Sequence, residues 1–208
     1  MIIPTELAKH GCVTRGVVHI GANDGGEIEY YLAAGIENIV CFEPLPSAGA
    51  ALLEQYANDA RVKFVPVALG DFNGFGEINA TTEHGQQSTF LPVVNERVAY
   101  GEYKPSYTLT VPVFRFAYLM DSVTPSINSS ILAANCLVID VQGMEMQVLS
   151  GMGEWLKHFN HGGIECSGVP VYEGEAPESE IAAFLAANGF TVLNSAGEHG
   201  DLLFKRAE

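Results

Sequence analysis

Within its first 70 residues the chain alternates short apolar runs with stretches of helical composition. Gly16 to Ile20, Asn38 to Phe42 and Val62 to Val67 have strand length. Glu27 to Ala34, stopped by Gly35, and Ser47 to Ala57, rich in Ala, Leu and Glu, favour helix. This alternation predicts an α/β fold: a mostly parallel sheet with helices on both faces. The pattern breaks in the middle. Glu77 to Ala80 reads as a short strand, Glu83 to Thr108 as a long polar loop, and Leu109 to Phe116 as another strand. A loop of that length in a compact domain is usually a lid or a binding loop, so 83–108 is expected to be a substrate loop. The pattern then resumes with Cys136 to Ile139, a helix from Met144 to Gly151 extended by Trp155 to Phe159, and a strand at Gly163 to Cys166. A helix at Glu178 to Asn188, ended by Gly189, follows. Phe190 to Leu193 and Leu202 to Lys205, on either side of a polar turn through Gly200, give an antiparallel hairpin signature. With 208 residues the chain is read as one domain, 1–208, with its core at 15–206.

Charge and cysteines narrow the function classes. The formal net charge is −15, from 25 acidic and 10 basic residues, with no cluster of Lys and Arg. Such a surface repels nucleic acid and anionic membranes, so the expected partner is a small or neutral acceptor. No apolar run reaches the roughly 18–20 residues of a membrane span. Met1 to Arg15 lacks the features of a signal peptide, and a cytoplasmic location is expected. The cysteines Cys12, Cys41, Cys136 and Cys166 have neither metal-ligand nor redox spacing and read as free thiols. The oligomeric state is left open.

Two features point to a nucleoside. Val17 to Glu27 runs from an apolar strand into a turn containing Gly21, Gly25 and Gly26. Glycine lets the backbone turn tightly and approach a ligand. The spacing is not that of a dinucleotide pyrophosphate turn, which suits a ligand without phosphate, such as S-adenosylmethionine. Glu43, at the end of the second strand, follows Gly21 by 22 residues. In nucleotide-binding α/β folds an acid at about this distance takes the ribose hydroxyls, and Pro44 stops the strand behind it.

With these segments in order the chain resembles the FkbM family of S-adenosylmethionine-dependent methyltransferases, from Gly16 to Phe204. His19-Ile20-Gly21-Ala22-Asn23 looks like one branch's first strand and ligand loop, with His19 where Asp is common and Asn23 departing from that branch's His. Cys41-Phe42-Glu43-Pro44 resembles the ribose-binding strand end, and Pro66 to Asp71 the segment that passes the adenine. Gly85 to Thr89 resembles a small polar motif, and Leu119 to Ser122 the Leu-Asp pair after an inserted strand. Ile139-Asp140-Val141-Gln142-Gly143-Met144-Glu145, followed by Val148 to Gly151, is the most specific match, and Val171 to Gly174 is similar to a further element. The resemblance implies the class I fold, a mostly parallel seven-stranded sheet with a C-terminal antiparallel hairpin. It implies S-adenosylmethionine as methyl donor, O-methylation of a hydroxyl on a glycan or secondary metabolite, and a ligand site at His19, Gly21, Ala22, Asn23, Gly25, Glu43, Pro44, Val67, Ala68, Ser88, Asp140 and Gln142.

A hydroxyl acceptor needs a group to take its proton. Asp140 ends an apolar strand where α/β folds place ligands, and is the leading candidate. The competing reading makes it the cap of the helix that follows. Glu165 ends the next strand and is a second candidate. The two could converge and hold a divalent metal, although none is predicted. His84 is the best histidine candidate for proton removal, its unperturbed pKa being near 6.5. Glu145 could simply favour the helix dipole, His158 and His161 read as structural, and Tyr100, Tyr103 and Tyr107 could contact the acceptor. Two other functions remain open at this point: an NAD-dependent oxidoreductase and a non-catalytic nucleoside-binding protein.

Overall fold

A computed structural model of the chain describes residues 3–81, 87–94 and 105–207. In chain order the strands are β1 (Gly16–Ile20), β2 (Asn38–Phe42), β3 (Val62–Val65), β4 (Ala68–Leu69), β5 (Gly74–Thr81), β6 (Pro105–Phe114), β7 (Cys136–Ile139), β8 (His161–Ser167), β9 (Phe190–Val192) and β10 (His199–Arg206). The α-helices are α1 (Ile3–Lys9), α2 (Ile28–Ala33), α3 (Pro46–Tyr56), α4 (Phe116–Met120), α5 (Pro125–Ala133), α6 (Glu145–Met152) and α7 (Glu178–Ala187), with a 3-10 turn at Gly153–His158.

Seven strands form one sheet in the order β3-β2-β1-β7-β8-β10-β9. The first five are parallel, and β10 pairs antiparallel with both β8 and β9. This is the class I methyltransferase sheet, hairpin included. Alternate residues of the parallel strands feed two separate cores, because successive side chains point to opposite faces. Val17, Ile39, Cys41, Cys136 and Val138 pack with Ile3 and Leu7 of α1, Ile28 and Tyr31 of α2 and Leu52 of α3. Val18, Ile20, Val40, Phe42, Leu137 and Ile139 pack with α4, α5, α6 and α7 on the other face. Phe116 anchors that second core. Its ring centroid lies 6.1 Å from those of Phe42 and Trp155 and 6.3 Å from that of Phe159. Cys41, Cys136 and Cys166 are buried free thiols and Cys12 is a half-buried one.

The middle of the chain departs from expectation. The run Val62 to Val67 is strand only as far as Val65. β3 ends at Val65, before Pro66, which has no amide for the ladder, and Ala68–Leu69 joins a second sheet of order β4-β6-β5. Pro105 to Thr108, read as loop, is strand, and β6 ends at Phe114 because Phe116 starts α4. The second sheet has its own core, with Ile78, Ala80, Val111 and Val113 over Leu45 and Ala48. Helix α5 was also not foreseen, although Thr124 caps it, its Oγ1 accepting from the Ile127 amide at 3.4 Å, and Pro125 opens it.

Candidate active site

Strand register fixes the site. Ile20 is paired with Phe42 on one side and Ile139 on the other, and Ile139 with Ile164. The next residue of each strand is therefore Glu43, Gly21, Asp140 and Glu165, in a row across the carboxyl edge of the sheet. Glu165 is in turn paired with Asp201 on β10. Five adjacent strands thus contribute four carboxyls and one glycine to a single line. That glycine is required, because a Cβ on Gly21, whose φ is +84°, would lie 1.7 Å from the Asp140 carbonyl oxygen.

Above this row is a cavity of about 400 Å³. Of the expected residues, Gly21, Ala22, Asn23, Glu43, Pro44, Val67, Ala68, Ser88, Asp140, Gln142 and Glu165 line it, joined by Asp24, Glu27, Phe90 and Asp201. Two expected residues do not. His19 is buried on the face covered by α2, where one tautomer satisfies both its partners: the Tyr31 hydroxyl donates to Nδ1 at 3.2 Å and Nε2–H donates to Glu27 at 3.3 Å. Burial lowers its pKa to about 4, so the ring is neutral. Its ligand role is replaced by a structural one, and Glu27 reaches the cavity instead. Gly25 is buried beneath the turn, where an added Cβ would meet Ile28 and Leu52. His84, Tyr100 and Tyr103 lie outside the described residues. Tyr107 is 44% exposed on β6.

Five amides of the turn after β1 are bonded within the protein. Those of Gly21 and Ala22 donate to the Phe42 carbonyl, that of Asn23 to Glu43 Oε2, that of Gly25 to Ala22, and that of Gly26 to Asp24 Oδ1. Glu43 Oε1 accepts from the Leu45 amide at 2.8 Å, so this buried carboxyl ties β2 to the glycine turn. Burial nevertheless raises its pKa to about 7, the two amide bonds opposing that rise. Asn23 adopts a left-handed φ of 47°, and its buried Oδ1 has no hydrogen-bond partner among the described residues.

Asp140 and Glu165 do converge, and Gln142 joins them. Its amide nitrogen donates to Asp140 Oδ1 at 2.7 Å and to Glu165 Oε2 at 2.5 Å. Its amide oxygen accepts from the Tyr172 hydroxyl at 2.6 Å, which fixes the orientation of the amide. Gln142 holds this position at a left-handed φ of 54°, its carbonyl accepting from Thr89 Oγ1 at 2.6 Å. Burial and the neighbouring Glu165 charge push Asp140 well above the usual carboxylate range. Burial works the same way on Glu165, but hydrogen bonds from His199, Asp140 and Gln142 outweigh it and hold Glu165 below its ordinary value. The pair therefore shares one proton, which rests on Asp140. Asp140 is not the cap of the following helix: α6 starts at Glu145, with Met144 at the cap position. Glu145 is buried and accepts from the Val141 and Gly143 amides, which holds the 141–143 turn in shape. Burial raises its pKa to about 7.

His158 bonds the Ile131 and Ala134 carbonyls and His161 the Thr14 hydroxyl, both as structural links. The sequence reading missed Asp201 and His199. Both lie on the last strand, and only its antiparallel pairing with β8 brings them to the row. Among the described residues no group of three or more His, Cys, Asp or Glu is arranged to hold a metal ion. Nor is any helix among them long and apolar enough to cross a membrane.

Known proteins agree with this geometry. The family model described as Methyltransferase FkbM domain matches residues 19–192. The 2-O-methyltransferase NoeI of Sinorhizobium fredii (strain NBRC 101917 / NGR234) is 25% identical over 199 residues, which is 92% of this chain and 79% of NoeI. The crystal structure of the N-methyltransferase NodS from Bradyrhizobium japonicum WM9 has a TM-score of 0.53 at 11% identity, covering 98% of this chain and 92% of NodS. NodS in complex with S-adenosyl-L-homocysteine gives 0.51 at 10% identity, over 98% and 84%. At these identities the solved structures speak for the fold alone. The family match spans most of the chain, and the protein belongs to the FkbM family of S-adenosylmethionine-dependent methyltransferases.

Proposed function

We propose that the chain methylates a hydroxyl of a small-molecule or glycan acceptor, with the donor held over the acid row and Glu165 receiving the hydroxyl proton. The observation that carries this reading is a cavity where five amides of the glycine turn are already bonded within the protein while its wall bears Glu27, Glu43, Asp140, Glu165 and Asp201. Such a wall attracts a cation and repels a pyrophosphate. S-adenosylmethionine, when bound, supplies a methyl group on a positively charged sulfur. An NAD-type ligand would bring two phosphates to carboxylates and find the amides of Gly21, Ala22, Asn23, Gly25 and Gly26 already bonded.

The residues suit the parts of that donor. Each Glu43 oxygen accepts one amide and keeps a second lone pair for a ribose hydroxyl. Asn23 Oδ1 offers an unmet acceptor to a hydroxyl or ammonium. Val67, Ala68 and Ser88 form the side of the cavity expected to flank the adenine, and Phe90 and Ile78 extend it toward the acceptor. Methyl transfer requires acceptor, carbon and sulfur in line, and positioning supplies much of the acceleration. Gln142 contributes here by locking both carboxyl groups in place. A hydroxyl also needs a base, whereas a neutral amine is already nucleophilic. The ionised Glu165 beside the cavity thus favours oxygen, as does the name of the relative NoeI, a 2-O-methyltransferase. The single-domain reading of 1–208 and the acceptor role of 83–108 belong to the same proposal.

Calorimetry with S-adenosylmethionine and with NADH, followed by turnover on a panel of hydroxylated glycans and metabolites, tests it. Glu165→Gln is expected to lower kcat by roughly 10²–10⁴-fold, with donor Kd held within about threefold. Heat with NADH and none with S-adenosylmethionine overturns the donor assignment, and an unchanged kcat in Glu165→Gln overturns the base.

A further inference from the structure

Behind the acid pair, on the side away from Gln142, lies a histidine that the site as described so far does not use. His199 is the first residue of β10 and is paired in register with Ser167 on β8. Its Nδ1 is 3.0 Å from Ser167 Oγ and its Nε2 is 3.4 Å from Glu165 Oε1. Glu165 and Ser167 are two residues apart on one strand, so they present to the same face of the sheet. The imidazole straddles them. Ser167, itself 1% exposed, holds one ring nitrogen, which directs the other at the carboxylate. An unbroken line of contacts then runs Ser167–His199–Glu165–Gln142–Asp140, and ends in the cavity.

We propose that His199 is a positioning residue for the methyl transfer, holding Glu165 in the charged form that receives the acceptor's proton. The proposal rests on Glu165 being the base. The balance is simple. The acceptor oxygen bonds to the methyl carbon as the carbon–sulfur bond breaks, its electrons staying on sulfur. The hydroxyl proton goes to Glu165, which releases it to water once the products leave.

The charges around the imidazole favour its protonated state. Glu165 faces it from β8, Glu175 from the segment after β8, and Glu145 from α6. Asp201 lies on its own strand. The hydrogen bond to Glu165 raises the histidine's pKa, while burial opposes the rise. Around Glu165 itself, Asp140 from the end of β7 donates a hydrogen bond that favours the charged form, while Asp201 from β10 adds negative charge that opposes it. His199 faces Glu165 as a cation. An opposite charge at this range shifts a carboxyl by about 1–3 pH units.

His199→Gln keeps a hydrogen-bond donor near Glu165 but removes the charge. The kcat–pH profile of this variant should show its acidic limb moved upward by about 1–3 pH units, with activity recovering toward the wild-type level on the alkaline side. A residue that only holds the strands together would lower kcat alike at every pH and leave the limb where it is. That result overturns the proposal. A second readout needs no turnover. The imidazole of His199, followed by ¹⁵N NMR, should titrate above the ordinary histidine value in the wild type and lose that elevation in Glu165→Gln. Titration unchanged by Glu165→Gln also overturns the coupling. Donor binding in His199→Gln, measured by calorimetry, should match the wild type. If the limb moves as expected in His199→Gln but kcat survives in Glu165→Gln, the base assignment is what fails and the proposal falls with it. An unmoved limb with kcat lost in Glu165→Gln removes His199 alone.

Discussion

Glu43 is bonded on both oxygens before any ligand arrives, to the amides of Asn23 and Leu45. Removing it therefore does two things. Glu43→Ala deletes the ribose acceptor and frees the glycine turn. Donor affinity should fall by roughly 1–3 kcal/mol, read by calorimetry, and the melting temperature should fall with it. Glu43→Gln retains one acceptor oxygen and should fall between the two on both measures. Unchanged affinity in Glu43→Ala would remove this residue from the ribose role. Glu43 could be singled out in the sequence because it ends an apolar run at a telling distance from Gly21, and Asp140 and Glu165 likewise end apolar runs. The ionisation of the latter pair could not. Which carboxyl keeps the proton depends on Gln142 and on His199, which contact the pair from 23 residues before Glu165 and 34 residues after it. His19 was misread for a related reason. Its position in the motif is that of a ligand residue, but strand alternation turns its side chain to the α2 face, where Tyr31 and Glu27 satisfy it.

Among the elements, strands β1, β2 and β7 were read to the residue, because apolar runs bounded by Gly, Pro or Asp leave little choice of ends. The second sheet was not legible. β6 begins in polar sequence, and its pairing with β5 spans a segment rich in Gly, Ser and Gln. Local composition favoured a loop, and pairing with a distant strand decided otherwise. The short helix α4 was hidden in the same way, since Phe116 continues an apolar run and changes structure without a turn signal. That phenylalanine links α4 to β2 and to the 3-10 turn through Phe42, Trp155 and Phe159. Phe116→Ala should cost about 3–5 kcal/mol, measured by urea unfolding. A loss under about 1 kcal/mol would show that the site collapses around the missing ring.

For the molecule as a whole, burying acids and histidines side by side shapes stability against pH. Glu43 and Glu145 titrate near 4.5 in an unfolded chain and near 7 in the fold. Across that window the folded state holds more protons, so these two groups remove stability as pH rises from about 4.5 to 7. His19 and His161 titrate near 6.5 unfolded and near 4 folded, so they remove stability as pH falls through that range. The two effects oppose each other where the windows overlap. Glu145→Gln removes one side of this balance while leaving an acceptor for the Val141 and Gly143 amides. Its stability relative to wild type should improve by roughly 1–3 kcal/mol between about pH 5 and pH 8, measured by unfolding at each pH. A difference that stays constant with pH would mean that Glu145 is ionised throughout. The second sheet has a different consequence. Its strands β5 and β6 are paired from Gly74 with Val113 to Thr81 with Pro105, and they rest on a core separate from that of the main sheet. Of the span that joins them, residues 87–94 are held against the rest of the fold as well, through Thr89 on Asn79 and Gln142 and through Val93 on Tyr172. This clasp thus presses residues 88–90 onto the same cavity as the strand tips, so a change in the length of this span is expected to disturb donor binding along with any choice of target.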